Sequence, residues 1–169
     1  MTKIAIVING KPGSGKDTLC DAAIQKYRAR KISSIDPIAA LARQGGWDGV
    51  KDAKSRKLLS DLKRVFAEFN DLSNQYVLRE YQSFLESGDE ILFIHIREQD
   101  QIEAFKAVAA DRCVTLLVRR PGTYGRVGNS SDDEVDQFSY DVIFDNDQPQ
   151  PEAEKAFCAL IGYIHSRHA

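Results

Sequence analysis

The sequence predicts a three-layer α/β fold in which a five-stranded parallel sheet has helices on both faces. Short apolar runs alternate with longer segments of helical periodicity along the whole chain. The runs at residues 4–8 and 90–96 are almost continuously apolar, which is typical of parallel strands buried on both faces. The first run, residues 4–8, leads into a glycine-rich segment and then a helix, so we expect a ligand site at the carboxyl ends of the strands.

The elements can be placed in order along the chain. The predicted strands are residues 4–8, 31–35, 90–96, 113–118 and 141–144. The predicted helices are residues 17–28, 38–43, 52–70, 72–87, 99–110 and 151–166, with a helical turn at 134–138. The third helix begins at Asp52 or Ser55, and its apolar spacing predicts one buried face. The residues of that face are Leu58, Leu62, Val65, Phe66 and Phe69.

Composition indicates one domain, residues 1–169, and excludes several classes of function. The 23 basic and 25 acidic residues nearly balance, so we expect no dedicated surface for nucleic acid or an anionic membrane. No apolar run has the length of a membrane span, and none follows Lys3 as in a signal peptide, so we expect a cytoplasmic protein. Cys20, Cys113 and Cys158 lack a metal-binding spacing and are interpreted as free, mostly buried thiols.

Residues 10–18 have the sequence Gly-Lys-Pro-Gly-Ser-Gly-Lys-Asp-Thr. Gly10, Gly15 and Lys16 have the spacing of a phosphate-binding loop, and the strand before it and the helix after it are the required context. In such a loop the backbone N–H groups and the helix N-terminus hold phosphate, while the lysine reaches the terminal phosphates. Asp17 stands where serine or threonine is usual, and a hydroxyl follows at Thr18.

Arginines follow the third and fourth strands, where they can converge on this loop. Arg97 comes directly after the third strand, and Arg119, Arg120 and Arg126 follow the fourth. Phosphoryl transfer needs positive charge on the oxygens that are most negative in the transition state, and such arginines supply it. The alternative is a solvated basic face paired with the acidic residues 132–134.

The segment at about 119–133 is polar and contains glycines. Glycine hinges and positive charges are typical of a short lid that closes over bound phosphates. An ordinary surface loop has the same composition, so both interpretations stay open.

Magnesium is expected with a nucleotide, but its ligands follow an unusual pattern here. Asp17 could hold Mg²⁺ through water, because this ion keeps several waters and needs few protein ligands. The same carboxylate could instead only complement the helix dipole. The third strand carries His95 near the place where an acidic residue is expected, with Glu98 just beyond it, and we interpret His95 as a packed strand residue.

The helical region at about 36–88 is expected to bind the phosphate acceptor. Asp36 follows the second strand, which is remote from the phosphate loop in a nucleotide-kinase-like strand order. Its carboxylate could contact the acceptor or shape the turn before Pro37. Arg43 and Arg56 could grip a phosphate of the acceptor, or they could be surface charges.

The loop GKPGSGKDT resembles the phosphate loop of nucleoside monophosphate kinases, in which threonine follows a non-hydroxyl residue after the lysine. Its Lys-Asp-Thr form is similar to phage- and bacterial-type deoxynucleoside monophosphate kinases and to animal-type phosphomevalonate kinases. Further segments resemble that group more loosely and in matching order. They are SSIDPIAALA, WDGVKDAKSRKLLSDL, FIHIREQDQIEAFK, LLVRRPG with NSSDDEVD, and YDVIFDNDQ.

The resemblance implies a kinase that moves the γ-phosphoryl of ATP, with Mg²⁺, to a small molecule bearing a phosphate. It places the ATP phosphates on Gly13, Ser14, Gly15, Lys16, Asp17 and Thr18. It also implies Lys16 on the transferred group, Arg97 between the donor and acceptor phosphates, and Arg120 or Arg126 closing from the lid. Asn146 would then lie where the adenine loop passes.

Two departures from the group concern the metal and the acceptor. His95 replaces the acidic residue of the third strand, and Ala39 replaces a lysine that often follows the Asp-Pro pair. A (deoxy)nucleoside monophosphate is the expected acceptor. The alternatives are a kinase of another metabolite, such as phosphomevalonate, and an ATP-binding protein with little turnover.

Overall fold

Five parallel strands form the central layer of the computed structural model, which describes residues 2–122 and 134–168. The strands are β1 (Ile4–Asn9), β2 (Ala29–Ser33), β3 (Ile91–His95), β4 (Cys113–Arg119) and β5 (Val142–Asp145). Their order across the sheet is β2-β3-β1-β4-β5, with β1 in the centre. This arrangement confirms the predicted sheet and places β2 at an edge, remote from the loop that follows β1.

Six α-helices in the described part of the chain connect and cover the strands. They are α1 (Lys16–Lys26), α2 (Asp36–Gln44), α3 (Ala53–Asn70), α4 (Leu72–Glu86), α5 (Gln99–Ala109) and α6 (Gln150–Arg167). Two 3₁₀ turns, Ala110–Arg112 and Glu134–Gln137, precede β4 and β5. Asp52 caps α3 by accepting a hydrogen bond from the Ser55 amide at 2.7 Å, which selects one of the two predicted starts.

Two hydrophobic cores lie on opposite faces of the sheet because successive side chains of a strand alternate between its faces. Ile6 of β1 belongs to the core under α1 and α6, together with Leu19 and Phe157. Val7, the next residue, belongs to the core under α4 and α5, together with residues such as Phe105. All residues of β1 are buried, so this strand is a rigid base for the loop that follows it.

Helix α6 packs against α1, the helix that begins at the phosphate loop. Phe157 and Ile161 of α6 share a core with Leu19 and Ala23 of α1. The hydroxyl of Tyr27, just after α1, donates a hydrogen bond to the Cys158 carbonyl oxygen at 2.8 Å. The position of α1 therefore depends on the helix that follows all the strands in the chain.

The predicted buried face of α3 is wrong. Leu58, Val65 and Phe69 are 41%, 49% and 78% exposed, and Ser55 is the buried residue of this helix. Periodicity identified an apolar face correctly, but it carries no information about which element covers that face. Leu62 and Phe66 are partly covered, because they lie nearer the side that packs on α2 and α4.

Among residues 2–122 and 134–168, no helix combines enough length with enough apolar character to cross a bilayer.

Candidate active site

The loop between β1 and α1 lies at the carboxyl edge of the sheet, as expected for a phosphate site. Asn9, at the end of β1, is 1% exposed, and its side-chain amide donates to the Ile96 carbonyl oxygen at 2.6 Å. This bond ties the start of the loop to the end of the neighbouring strand β3. Gly13 and Gly15 both have φ of 85°, a left-handed conformation that glycine adopts without strain.

The loop is packed too closely to accept larger residues at its first glycine. A Cβ on Gly10 would collide with the Ser14 hydroxyl oxygen and lie 2.8 Å from the Val118 carbonyl oxygen. Ser14 itself is 1% exposed, and its hydroxyl has no hydrogen-bond partner among the described residues. A buried hydroxyl and a backbone cradle of this kind fit the oxygens of a bound phosphate.

Lys16, Asp17 and His95 form a cluster of titratable side chains beside the loop. The Lys16 ammonium lies 3.4 Å from Asp17 Oδ2, and His95 Nδ1 lies 3.7 Å from Asp17 Oδ1. The side chains of Lys16 and His95 are each 13% exposed, whereas that of Asp17 is 66% exposed. Asp17 therefore presents its carboxylate to solvent at the mouth of the site.

The charge states of this cluster follow from burial and neighbouring cations. Burial and the Lys16 ammonium together lower the pKa of His95 to about 4, against a smaller opposing effect of Asp17. His95 is therefore neutral near pH 7. Burial acts to raise the pKa of Asp17, but Lys16 and Lys31 contribute to a combined effect that lowers it. Asp17 is consequently ionised and presents hard oxygen atoms.

The four arginines predicted to converge on the loop have different environments. Arg120 lies over it, with its Nη1 4.0 Å from the position that a Cβ on Gly15 would occupy. Arg119 instead forms a two-pronged ion pair with Asp145, with N–O distances of 2.8 and 2.9 Å. Arg97 is half-buried two residues beyond β3. Arg126, like most of the predicted lid, lies outside the described residues.

Asn146 lies directly against the phosphate loop. Its side-chain amide donates to the Ser14 carbonyl oxygen at 2.8 Å, and its backbone amide donates to the Arg119 carbonyl oxygen at 2.7 Å. The same side chain occupies the space that a Cβ on Gly15 would need. Asn146 therefore links the end of β5 to the loop, while its role toward adenine stays a prediction.

The residues predicted to bind the acceptor make local contacts. Asp36 is exposed and accepts a hydrogen bond from the Ser33 amide at 2.7 Å, which is the turn-shaping role left open above. The guanidinium of Arg43 lies 5.2 Å from the centre of the Trp47 ring. Arg56 is exposed in the first turn of α3. Acceptor binding by these three residues stays a prediction.

Two ion pairs at this end of the sheet were not foreseen. Lys11 in the loop pairs with Asp136 at 2.8 Å, and Lys63 of α3 pairs with Glu98 at 2.5 Å. Each joins residues more than 30 positions apart in the sequence. The sequence indicated only that Lys11 lies in the loop and that Glu98 follows β3. It gave no indication that Asp136 and Lys63 are their partners.

The oxygen atoms near Lys16 could bind Mg²⁺ only together with water molecules and the phosphate oxygens of a nucleotide. Within residues 2–122 and 134–168, no three His, Cys, Asp or Glu side chains cluster closely enough to hold a metal ion. Asp17 supplies one ionised carboxylate and Thr18 a hydroxyl, both hard oxygens. Since Mg²⁺ is usually bound by one or two carboxylates plus phosphate oxygens and waters, this set is compatible with it.

Comparisons with known proteins define the class of fold. No protein-family model and no curated protein matches the sequence. A candidate kinase from Chloroflexus aurantiacus has a similar structure, with a TM-score of 0.57, 14% identity and 100% of both chains covered. Protein TT1252 from Thermus thermophilus gives a TM-score of 0.54 at 20% identity, covering 96% of this chain and 98% of that one. The chain has the three-layer α/β P-loop fold.

Proposed function

We propose that this protein is a small-molecule kinase that transfers the γ-phosphoryl group of ATP to a (deoxy)nucleoside monophosphate. The observation that carries the proposal is the glycine-rich loop of residues 10–18, which contains Lys16 and has the Arg120 guanidinium close to Gly15. A similar fold in a candidate kinase supports the proposal at the level of architecture.

The chain supplies positioning and positive charge, which are the main requirements of phosphoryl transfer. The loop amides and the N-terminus of α1 would hold the donor phosphates. The ammonium of Lys16 and the guanidinium of Arg120 would stabilise the charge on the transferred group. Arg97, which follows the strand next to β1, would bridge the donor and acceptor phosphates.

Asp17 is the residue we expect to hold Mg²⁺, through water, with Thr18 adjacent. When bound, Mg²⁺ supplies further positive charge to the phosphate oxygens. Neutral His95 would leave the net charge at the strand end more positive than an acidic residue would. A site with one carboxylate and a neutral histidine suits a phosphoryl donor, such as ATP, whose own phosphates supply most of the negatively charged ligands of Mg²⁺.

The test is a panel of acceptors assayed with ATP, Mg²⁺ and coupled detection of ADP. The panel contains ribo- and deoxyribonucleoside monophosphates, the corresponding nucleosides and non-nucleotide phosphates such as phosphomevalonate. We expect ADP release with at least one nucleoside monophosphate and none with its nucleoside. Release only with a non-nucleotide phosphate would leave a kinase but reject the nucleotide acceptor.

Lys16→Ala tests the mechanism in the same assay. We expect turnover to fall by several orders of magnitude, because the positive charge that stabilises the transferred group is lost, while the circular dichroism spectrum is unchanged. Lys155→Ala, an exposed lysine of α6, is the matched control and should keep full turnover. Turnover of Lys16→Ala at the wild-type level would rule out the mechanism.

An ATP-binding protein with little turnover is the second candidate. It is favoured by His95 at the strand end and by the absence of a cluster of three metal-ligating side chains among the described residues. Tight binding of ATP that depends on Lys16, with no ADP release for any acceptor, would support this candidate over the kinase.

A further inference from the structure

Helix α3 lies in the region predicted to bind the acceptor, and it exposes a row of three apolar residues to which the proposed site assigns no role. Leu58, Val65 and Phe69 form this α3 row and are 41%, 49% and 78% exposed. On another side of the same helix, Ser55 is buried and Lys63 pairs with Glu98. The helix is therefore fixed to the domain by one side and presents the row to solvent.

The spacing of the row is that of a helix–helix interface. Leu58 and Val65 are seven residues apart, and Phe69 follows after four more, so the three lie on one stripe. The 18 residues of α3 extend over about 27 Å, which is enough for two heptads. A second helix of the same length could cover the row along most of its extent.

Charged residues along one edge of the row identify the partner. Lys54, Asp61 and Glu68 are spaced by seven residues, with the positive charge near the N-terminus of α3 and a negative one near its C-terminus. Glu68 also lies 3.5 Å from Arg64 of its own helix, and at 72% exposure its side chain stays accessible to a partner. In a parallel pair of identical helices, like charges would meet. In an antiparallel pair centred on Asp61, Lys54 of each copy lies opposite Glu68 of the other, and Leu58 lies opposite Arg64, next to Val65.

The centre of this arrangement is balanced electrostatically. The two copies of Asp61 would approach each other there, which would be unfavourable for bare carboxylates. Within the chain, however, Lys57 pairs with Asp61 at 2.5 Å. The pair brings a positive charge to each Asp61, so the apolar and charged rows favour the same two-fold register.

We propose that two copies of this chain form an antiparallel dimer through the α3 row. The contact is isologous, since the same surface serves both copies. One helix pair buries less than the roughly 1,200–2,000 Å² of a stable interface, so we expect a reversible dimer that depends on concentration. The proposal does not depend on kinase activity, because it concerns a surface formed without any ligand.

Sedimentation velocity of the full chain over a wide range of concentration tests the contact. We expect the wild type to shift from monomer to dimer, and Val65→Asp to raise the dimer Kd at least about tenfold by placing charge in the interface. Val108→Asp is the control, because Val108 lies on α5 and is 52% exposed. A monomeric wild type at every concentration, or equal effects of both variants, would overturn the proposal.

Charge exchange tests the antiparallel register. Lys54→Glu and Glu68→Lys should each weaken the dimer, because each places like charges opposite one another. The double variant restores two opposite-charge pairs and should return to within a few-fold of the wild-type Kd. A double variant weaker than either single variant would exclude this register, and circular dichroism would confirm that all variants are folded.

Discussion

Two buried side-chain amides stabilise the phosphate loop through bonds to backbone carbonyl groups. Asn9 donates to Ile96, and Asn146 donates to Ser14. In both cases the amide joins the loop to another strand end, across 87 and 132 residues of sequence. The loop conformation is thus maintained by distant residues as well as by its glycines, so it should be largely formed before ATP binds.

Asn146→Ala removes one of these connections. The Ser14 carbonyl oxygen loses its partner in a buried site, and we expect a loss of about 1–3 kcal/mol in the free energy of unfolding. ATP affinity should fall as well, since the loop is less well held. Urea denaturation and calorimetric titration with ATP measure the two effects.

Gln82→Ala is the control for this variant, because Gln82 is exposed on α4. It should change both quantities little. Unchanged stability and ATP affinity in Asn146→Ala would show that the bond to Ser14 is unimportant for the loop.

The sequence predicted those residues of the site that belong to a known motif or directly follow a strand. Lys16 and Arg120 were identified in this way, and both lie at the loop. The ion pairs of Lys11 with Asp136 and Lys63 with Glu98 were missed. Pairs of this kind are set by the tertiary arrangement of distant segments, which spacing along one sequence does not describe.

The junction between β1 and its loop is the most tightly packed turn of the site. Gly10 lies where any Cβ would meet both the Ser14 side chain and the backbone of Val118 on β4. The serine could rotate away, but a strand carbonyl cannot move without disturbing the sheet. A glycine here therefore serves close packing, independently of its φ angle.

Gly10→Ala should destabilise this junction by about 1–3 kcal/mol, the usual cost of overpacking, and should also weaken ATP binding. Chemical denaturation gives the first quantity and a fluorescent ATP analogue the second. Gly88→Ala is the matched control, because a Cβ on Gly88 would meet nothing within 4 Å. Equal stability of the two variants would contradict the close packing described here.

The strands were predictable to within a few residues, because most of them are apolar runs too short for a buried helix and bounded by polar or glycine-containing segments. The bounds of the helices were predicted equally well, but the solvent exposure of the apolar face of α3 was not. Leu58, Val65 and Phe69 have the periodicity of a core helix but are exposed. Whether an apolar stripe faces its own domain or a second copy is decided by neighbours that the sequence does not specify.

The described residues form two cores, and the three cysteines lie in or beside them. Cys20 and Cys158 are buried and Cys113 is half-buried, and all three are free thiols, as expected from their spacing. Burial raises the pKa of Cys20 to about 12, and burial likewise raises the pKa of Cys113 to about 12. Native thiols should therefore be almost fully protonated at neutral and mildly alkaline pH.

Alkylation with iodoacetamide tests this arrangement at the scale of the whole fold. At pH 8 we expect the native thiols to react at least about a hundredfold more slowly than in urea, where their pKa returns to about 8.5. Mass spectrometry after timed quenching measures the rates. Ser60→Cys places a thiol on an exposed position of α3 and should react rapidly in the native state. Rapid labelling of native Cys20 would contradict its burial.

The contact between α1 and α6 has a consequence for how the protein is made. The phosphate loop is encoded near the start of the described chain, but α6, the helix that covers α1, is translated after every strand. While α6 is still inside the ribosome, Leu19 and Ala23 lack the cover that Phe157 and Ile161 provide. A nascent chain should therefore acquire the ability to hold ATP only after α6 has left the ribosome, so binding would report that this helix has packed on α1.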